Sequence, residues 1–424
     1  MKRWQTIIRI QTIVRMPTMA WLLGFAIVLQ AQTTISGVVL DKQTERALSH
    51  VSIATEGKDI HTVTNDDGRF TLKTKQRPQY IQLSHIGYKT RRVNLTDHPT
   101  EQLRILMTSS SVELREIIVS VDDPLSIIKA AMSRIEQNYP HEPELMRCFY
   151  RETAQRGSRF ISVSEGSDRD VQKWLSIWST TRCRSHHQGR RLMSKKSKDT
   201  LGVKIQGGPV LPLMADVAKN PDYLLNEEGL AGCDLHMEMP VNIDDRTHYV
   251  IRILPRGYTL FPLMGGLLYI DRESLTISRA ELELDMRDWQ KASDYMLVKK
   301  PMGLRFRPKL LTMTVVYRTD LQGVTRISYL RNVMQFNCDW KRRLFARTFT
   351  TVSEMVVTDL LQQGQEAKRP RGRSSFGIRE RFYDKVEYFE DPDFWADYNI
   401  IEPTESLEHA IDKLKKKVQP SNGK

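Results

Sequence analysis

From residue 33 onward, apolar and polar positions alternate with a period of two over most of the chain, the pattern of strands with one covered face. Ile35, Val38 and Leu40 lead into a polar turn at Asp41 to Glu45, and Val51 and Ile53 follow. Thr62 to Thr64 and Phe70 to Leu72 flank Asn65-Asp66-Asp67-Gly68. Asp-Gly between two β-rich runs predicts a hairpin, because glycine accepts the positive φ of such turns. Tyr80, Leu83 and Ile86, then Val93, Leu95, Leu103, Ile105 and Met107, complete a set of short, evenly spaced strands over residues 33–108, the signature of a small β-sandwich.

A second region begins with a strand from Glu113 to Val121 and then changes period. Asp123-Pro124 supplies an N-cap and a first-turn proline. Leu125, Ile128, Met132 and Ile135 lie on one helical face, and Tyr139-Pro140 ends the helix. Residues 145–400 return to alternation: Tyr249, Ile251 and Ile253; Ala280, Leu282, Leu284 and Met286 against Glu281, Glu283 and Asp285; Leu311, Met313, Val315 and Tyr317 against Thr312, Thr314 and Arg318. One apolar and one polar face predict an antiparallel sheet with one side in water. Leu407, Ala410, Ile411, Leu414 and Val418 share one face of a final helix with a basic end.

The chain has 424 residues, 40% hydrophobic and 27% charged, with a net charge of +13, so it is globular and large enough for two or three domains. Lys2, Arg3, Arg9 and Arg15 stand in the first 31 residues with no acid among them. The apolar run from Ala20 to Leu29 is too short to span a bilayer, and Ala31 offers a small residue for cleavage. Residues 1–31 are therefore read as a secretory signal peptide, and no transmembrane span is expected in the mature chain. Cys148, Cys183, Cys233 and Cys338 lack metal-ligand spacing; they allow three disulfide connectivities or buried thiols.

Three motifs stand in order in the first strand-rich unit: Ile35-Ser36-Gly37-Val38-Val39-Leu40-Asp41, Thr64-Asn65-Asp66-Asp67-Gly68-Arg69-Phe70 and Ser84-His85-Ile86-Gly87-Tyr88-Lys89. On these the unit resembles the carboxypeptidase regulatory-like domain, which implies a transthyretin-like β-sandwich serving as an accessory module without catalytic residues. Further on, Cys148-Phe149-Tyr150-Arg151-Glu152, Tyr269-Ile270-Asp271, Asp339 to Phe345 and Asp391-Pro392-Asp393-Phe394-Trp395 are similar to the second domain of exported envelope proteins of Gram-negative bacteria that carry this module. The stretch from Tyr269 to Glu281 is similar, over one hairpin, to the lipoprotein-carrier half-barrel. After Ser164-Glu165, Gly166-Ser167-Asp168-Arg169-Asp170 replaces the apolar continuation of that family, which predicts an interrupted strand.

The search for chemistry is mostly negative. His141-Glu142-Pro143-Glu144 has the H-x-x-E spacing of a zinc site, but Pro143 fixes the loop, and His236 and His248 offer no matching third ligand; His248 falls on the polar side of its strand and is expected to face solvent. His186-His187 is expected in a basic loop. Gly207-Gly208-Pro209 and Gly265-Gly266 read as turns, and Asn65 to Gly68 lacks the ligand ladder of a calcium loop. The aromatics of Tyr383 to Phe389 and Asp391 to Trp395 read as cover for a sheet edge or core, or as a partner anchor. No catalytic residue, metal or cofactor is expected. Three basic runs remain: Arg182, Arg184, Arg190, Arg191, Lys195, Lys196 and Lys198; then Lys368 to Arg381; then Lys413, Lys415, Lys416 and Lys417. With export, the first run suits an anionic lipid or glycan surface or an envelope protein partner, not nucleic acid.

The expected architecture is mostly β: signal peptide 1–31, transthyretin-like sandwich 33–108, linker strand and helix 109–144, a larger antiparallel β-rich (α+β) domain with a few flanking helices 145–400, and an amphipathic helix with basic tail 401–424. The expected function is that of a non-enzymatic cell-envelope protein in the periplasm or at the outer membrane, its sandwich an interaction module and its β-rich domain a binder of a partner or apolar ligand. The alternative is an envelope hydrolase acting on peptide or polymer.

Overall fold

The computed structural model describes residues 32–57, 60–96, 99–110, 123–140, 144–172, 182–193, 203–205, 207–221, 225–257, 264–340, 347–363, 375–376, 380, 382 and 399–418. The signal segment, the strand expected over Glu113 to Val121, His141 to Pro143, the second basic run and the late aromatic stretch lie outside them.

The first unit is a sandwich of seven strands: β1 (Thr33–Asp41), β2 (Ser52–Thr55), β3 (His61–Val63), β4 (Arg69–Thr74), β5 (Tyr80–Ser84), β6 (Arg91–Asn94) and β7 (Leu103–Met107). One sheet has the order β4-β1-β7, the other β3-β2-β5-β6. Their inner faces pack Ile35, Val39, Val51, Ile53, Phe70, Leu72, Ile81, Leu83, Ile105 and Met107 into one core. The expected hairpin at Asp67-Gly68 is corrected here. The tight turn forms, with the Asn65 side-chain oxygen accepting from the Asp67 and Arg69 amides, both at 2.9 Å. Yet β3 pairs with β2 and β4 pairs with β1, so the turn carries the chain from one sheet to the other. A local turn signal reports a reversal of direction, not which partners the two strands find. Gly68 has φ +72°, and a Cβ there would meet the Val39 carbonyl at 2.6 Å. Gly68→Val is expected to cost about 2–3 kcal/mol, the scale of backbone strain at a residue forced into the left-handed region. Thermal melting of the variant with β circular dichroism retained is the measurement; an unchanged midpoint would contradict the turn geometry.

The second unit is built on an antiparallel sheet of eleven strands. In chain order these are β8 (Glu144–Arg156), β9 (Arg159–Gln172), β10 (Arg182–Met193), β12 (Cys233–Ile243), β13 (Arg246–Pro255), β14 (Met264–Asp271), β15 (Ile277–Leu284), β17 (Leu304–Thr319), β18 (Thr325–Trp340), β19 (Arg347–Gln363) and β20 (Ser375–Phe376). Two short strands, β11 (Lys204–Ile205) and β16 (Leu297–Lys299), pair separately. The sheet order is β12-β13-β14-β15-β17-β18-β19-β8-β9-β10-β20. Its inner face carries the expected apolar positions, among them Ile251, Ala280, Leu282, Leu311, Met313, Val315 and Tyr317. Short helices cover that face: α1 (Pro124–Ser133), α2 (Ile135–Asn138), α3 (Val210–Met214), α4 (Glu227–Ala231) and α5 (Trp289–Met296). Asp123 caps α1 through the Ser126 amide, and Ile127, Ile128 and Ala131 turn inward. β9 runs without a break through Gly166 to Asp170, paired to both β8 and β10, contrary to the expected interruption. Strands on both sides supply backbone partners, and these hold a polar sequence extended whatever its propensity.

The outer face was expected to be wet. Its centre is instead covered by the sandwich, by residues 399–404 and by α6 (Glu405–Val418). Val63 of the sandwich, Phe149, Tyr329, Val356 and Ile401 form one apolar cluster, and Leu407, Ile411 and Leu414 of α6 pack on Val163. The 399–405 segment is stitched to the sandwich. Asn399 bonds both the amide and the carbonyl of Lys73, Thr62 Oγ1 donates to the Ile400 carbonyl, Asn65 to the Pro403 carbonyl, and the Glu405 amide donates to Asp67. At the far end of the contact, the Gly87 amide donates to the Asn242 carbonyl at 3.0 Å. No described helix is long and apolar enough to cross a membrane.

Candidate functional site

β12 is the edge strand of the large sheet, and α1 and α4 lie over its inner side. Between them is a cavity of about 490 Å³. Leu125 of α1, Leu230 and Ala231 of α4, and Cys233 and Leu235 of β12 give it an apolar floor. The rim is ionic: Lys129 Nζ lies 2.9 Å from Glu227, and Arg256 Nε 2.7 Å from Asp234. Local sequence sets these positions. Asn226 caps α4 by accepting from the Gly229 amide, and Glu227 and Glu228 occupy the first turn, where carboxylates suit the helix dipole. The Cys233 thiol donates to the Gly229 carbonyl at 3.3 Å, and burial pushes its pKa up, so it stays a thiol rather than a nucleophile. Sequence analysis named Asp123, Leu125, Cys233 and His236 singly, for other reasons, and did not bring them together as a cavity. The signal available was the cap Asn226-Glu227-Glu228-Gly229, which marks a helix start.

A second polar group is buried deeper on the inner face. Tyr317 Oη donates to Asp216 at 2.7 Å, Tyr139 Oη donates to the Ile277 carbonyl at 2.8 Å, and the two rings meet edge to face at 5.7 Å. Burial pushes the Asp216 carboxyl and both phenols upward, and lowers Lys219 to about 8. Asp216 also accepts from the Ala218 and Lys219 amides at 3.2 Å, and Lys219 Nζ donates to the Pro140 carbonyl. Each group holds a turn or a strand end, so the cluster fixes the segment around residues 210–221 against the sheet.

Among the described residues no group of three or more His, Cys, Asp or Glu side chains is placed to hold a metal. Glu144, the last residue of the H-x-x-E spacing, is buried and accepts from Arg326 Nε at 2.9 Å. His248 is not solvent-facing: it is 1% exposed, its Nδ1 donating to the Arg246 carbonyl and its Nε2 accepting from Ser278 Oγ, both at 2.8 Å. Its strand parity was right; the error lay in assuming that the polar face was open. His236 is exposed on the cavity rim. His186 and His187 stand in strand β10, not in a loop. The backbones of Arg182, Arg184, Arg190 and Arg191 are in that strand too, with Arg190 opposite Glu165 and Arg191 opposite Ser164; Lys195, Lys196 and Lys198 lie outside the described residues. Cys148, Cys233 and Cys338 are buried, and desolvation raises Cys338 to about 11.

Comparison with solved structures gives likenesses of low overlap. A DUF1329 family protein from Desulfovibrio piger is 12% identical with a TM-score of 0.22, over 56% of this chain and 94% of that one. A LolA superfamily protein from Nitrosomonas europaea is 12% identical with a TM-score of 0.19, over 57% and 96%. The Pseudomonas aeruginosa MucA/MucB complex gives 13% identity and a TM-score of 0.18, over 59% and 100%. At such scores neither fold nor function is fixed by the likeness. No curated protein matches the chain in sequence. Residues 35–119 match the family described as the CarboxypepD_reg-like domain. Over the described part of that span the two-sheet core and the turn at Asn65 to Gly68 are those of a β-sandwich, and the N-terminal unit of this chain is a CarboxypepD_reg-like domain.

Proposed function

We propose that this chain is an exported, non-enzymatic binding protein of the cell envelope, in which the sandwich is an interaction module and the large sheet domain holds an apolar or amphiphilic ligand. The observation that carries the reading is the cavity beneath α1 and α4: an apolar floor inside a charged rim suits a ligand with a greasy body and a polar end. The basic run from Arg182 to Lys198 belongs to the same proposal as a contact for an anionic surface or acidic partner.

The test is titration of the purified protein with a fluorescent fatty-acid reporter. Saturable binding is expected, and Leu235→Arg, which puts a charge on the cavity floor, should weaken it on the order of tenfold or more, the cost of desolvating an ionic group. A reporter that does not bind, or binds Leu235→Arg as well as wild type, would sink the proposal.

A further inference from the structure

The seam between the sandwich and the sheet holds a second, smaller cavity of about 50 Å³. A single water needs roughly 10–15 Å³ measured in the same way, so the space admits a group of several heavy atoms. His50 and His85 reach it from the sandwich, and Arg279, Arg318, Ser328 and Asp244 from the sheet side. Asp244 is the one carboxylate among the residues that line it. Ser328 stands at a break in the β17–β18 register, where Val316 pairs with Tyr329 but Tyr317 pairs with Ile327. Such a bulge turns a residue out of the ladder. His61 Nε2 donates to the Ser328 carbonyl at 3.3 Å, which fixes that peptide from the sandwich side. Ser328 is 1% exposed, and its hydroxyl has no hydrogen-bond partner among the described residues. Buried polar atoms are rarely left so, and this one shares its cavity with Arg279 and Arg318.

We propose that this seam cavity is a binding site for a small oxyanion of the phosphate or sulfate class, and that the bound ion ties the sandwich to the sheet. The hydroxyl of Ser328 donates to the ion, and Arg279 and Arg318 supply charge. Arg279 also pairs with Glu281 at 2.7 Å, which leaves its remaining donors for a second acceptor. Around His50 stand Asp66 at 3.5 Å, Glu354 at 3.9 Å and Arg331; His85 faces Arg279 and His50. Burial and the arginines keep both rings neutral, and a neighbouring anion would favour their charged forms, so binding should strengthen as pH falls. A space of about 50 Å³ walled by both domains suits a free ion rather than a lipid headgroup.

Isothermal titration of the full chain with sodium phosphate, against sodium chloride at equal ionic strength, tests this directly. About one phosphate per chain is expected, bound more tightly at pH 5.5 than at pH 7.5, with sulfate competing and chloride inert. Ser328→Ala and His85→Gln, each checked for folding by circular dichroism, should each weaken binding about tenfold, the scale of one lost hydrogen bond to a charged group. Failure of the wild-type protein to give saturable heat beyond chloride would overturn the proposal, as would wild-type affinity in Ser328→Ala. Neither result bears on the cavity beneath α1 and α4.

Discussion

Arg151→Met should destabilise this protein by about 3–5 kcal/mol, the cost of removing one partner of a buried ion pair. Arg151 and Glu165 face each other on β8 and β9, with Nε to Oε1 at 2.6 Å and side-chain exposures of 4% and 0%. They belong to a row that crosses four strands, in which Arg331, Glu354, Arg151 and Glu165 alternate in sign on the outer face. Arg151 does more than neutralise Glu165. Its Nη2 donates to the Ile401 carbonyl at 2.6 Å, and its guanidinium lies 5.2 Å from the Phe149 ring. The substitution therefore removes that ion pair and also one anchor of the 399–405 segment. Chemical denaturation of Arg151→Met and of Arg151→Met with Glu165→Leu separates the two roles. The double variant should recover most of the loss, because an apolar pair of similar volume replaces a buried ion pair at little cost. A single variant within about 1 kcal/mol of wild type would show that the pair does not carry the seam.

Acidification in phosphate-free buffer should weaken the protein between about pH 6.5 and pH 4, before most carboxylates titrate. His85 is lowered to about 4 by burial, with Arg279 and His50 adding to the effect. His61 is pushed well below its usual value by burial and by Arg318, against the Ser328 carbonyl that favours its charge. His50 is lowered by burial and by Arg331 and Arg279, opposed by Glu354 and Asp66. His248 is lowered by burial and Arg246, opposed by the Arg246 carbonyl, Asp271 and Asp244. Each ring is harder to protonate folded than unfolded. Their stabilisation is thus complete above the unfolded value of 6.5 and is lost as pH falls toward the folded one. For His85 alone the loss is on the order of 2–3 kcal/mol, at about 1.4 kcal/mol per unit with a discount for residual solvent contact. Carboxylates lowered from 3.8, such as Asp271 and Asp285, act in the same direction but at lower pH. Urea midpoints at pH 7.5, 6.0 and 4.5 should fall for wild type and fall less for His85→Gln. Equal slopes in the two proteins would refute the assignment to the seam.

Much of this architecture was legible in the order of residues. Alternation along Ala280 to Met286 and Leu311 to Arg318 placed each side chain on its correct face, because the strand period is two and depends on nothing distant. Asp123-Pro124 marked the start of α1, and Leu407, Ile411 and Leu414 marked the buried face of α6, because caps and helical faces are local. The three motifs between Ile35 and Lys89 identified the sandwich. What covers a face is not local. His248 sits on the polar side of β13, as its parity says, and is buried there against Ser278 of β15 and the Arg246 carbonyl. β3 and β4 flank a turn that fits a hairpin, yet each finds a better partner in a different sheet. Arg151 meets Ile401 across 250 residues, and Ser328 meets His61 across 267. The cavity under α1 and α4 draws its wall from segments that no periodicity links. The sequence by itself determined the strands, their faces and the identity of the first domain. The tertiary structure decided the pairing, the polar seam and the sites, because these rest on contacts whose partners are set by packing of the whole chain rather than by spacing within any one stretch.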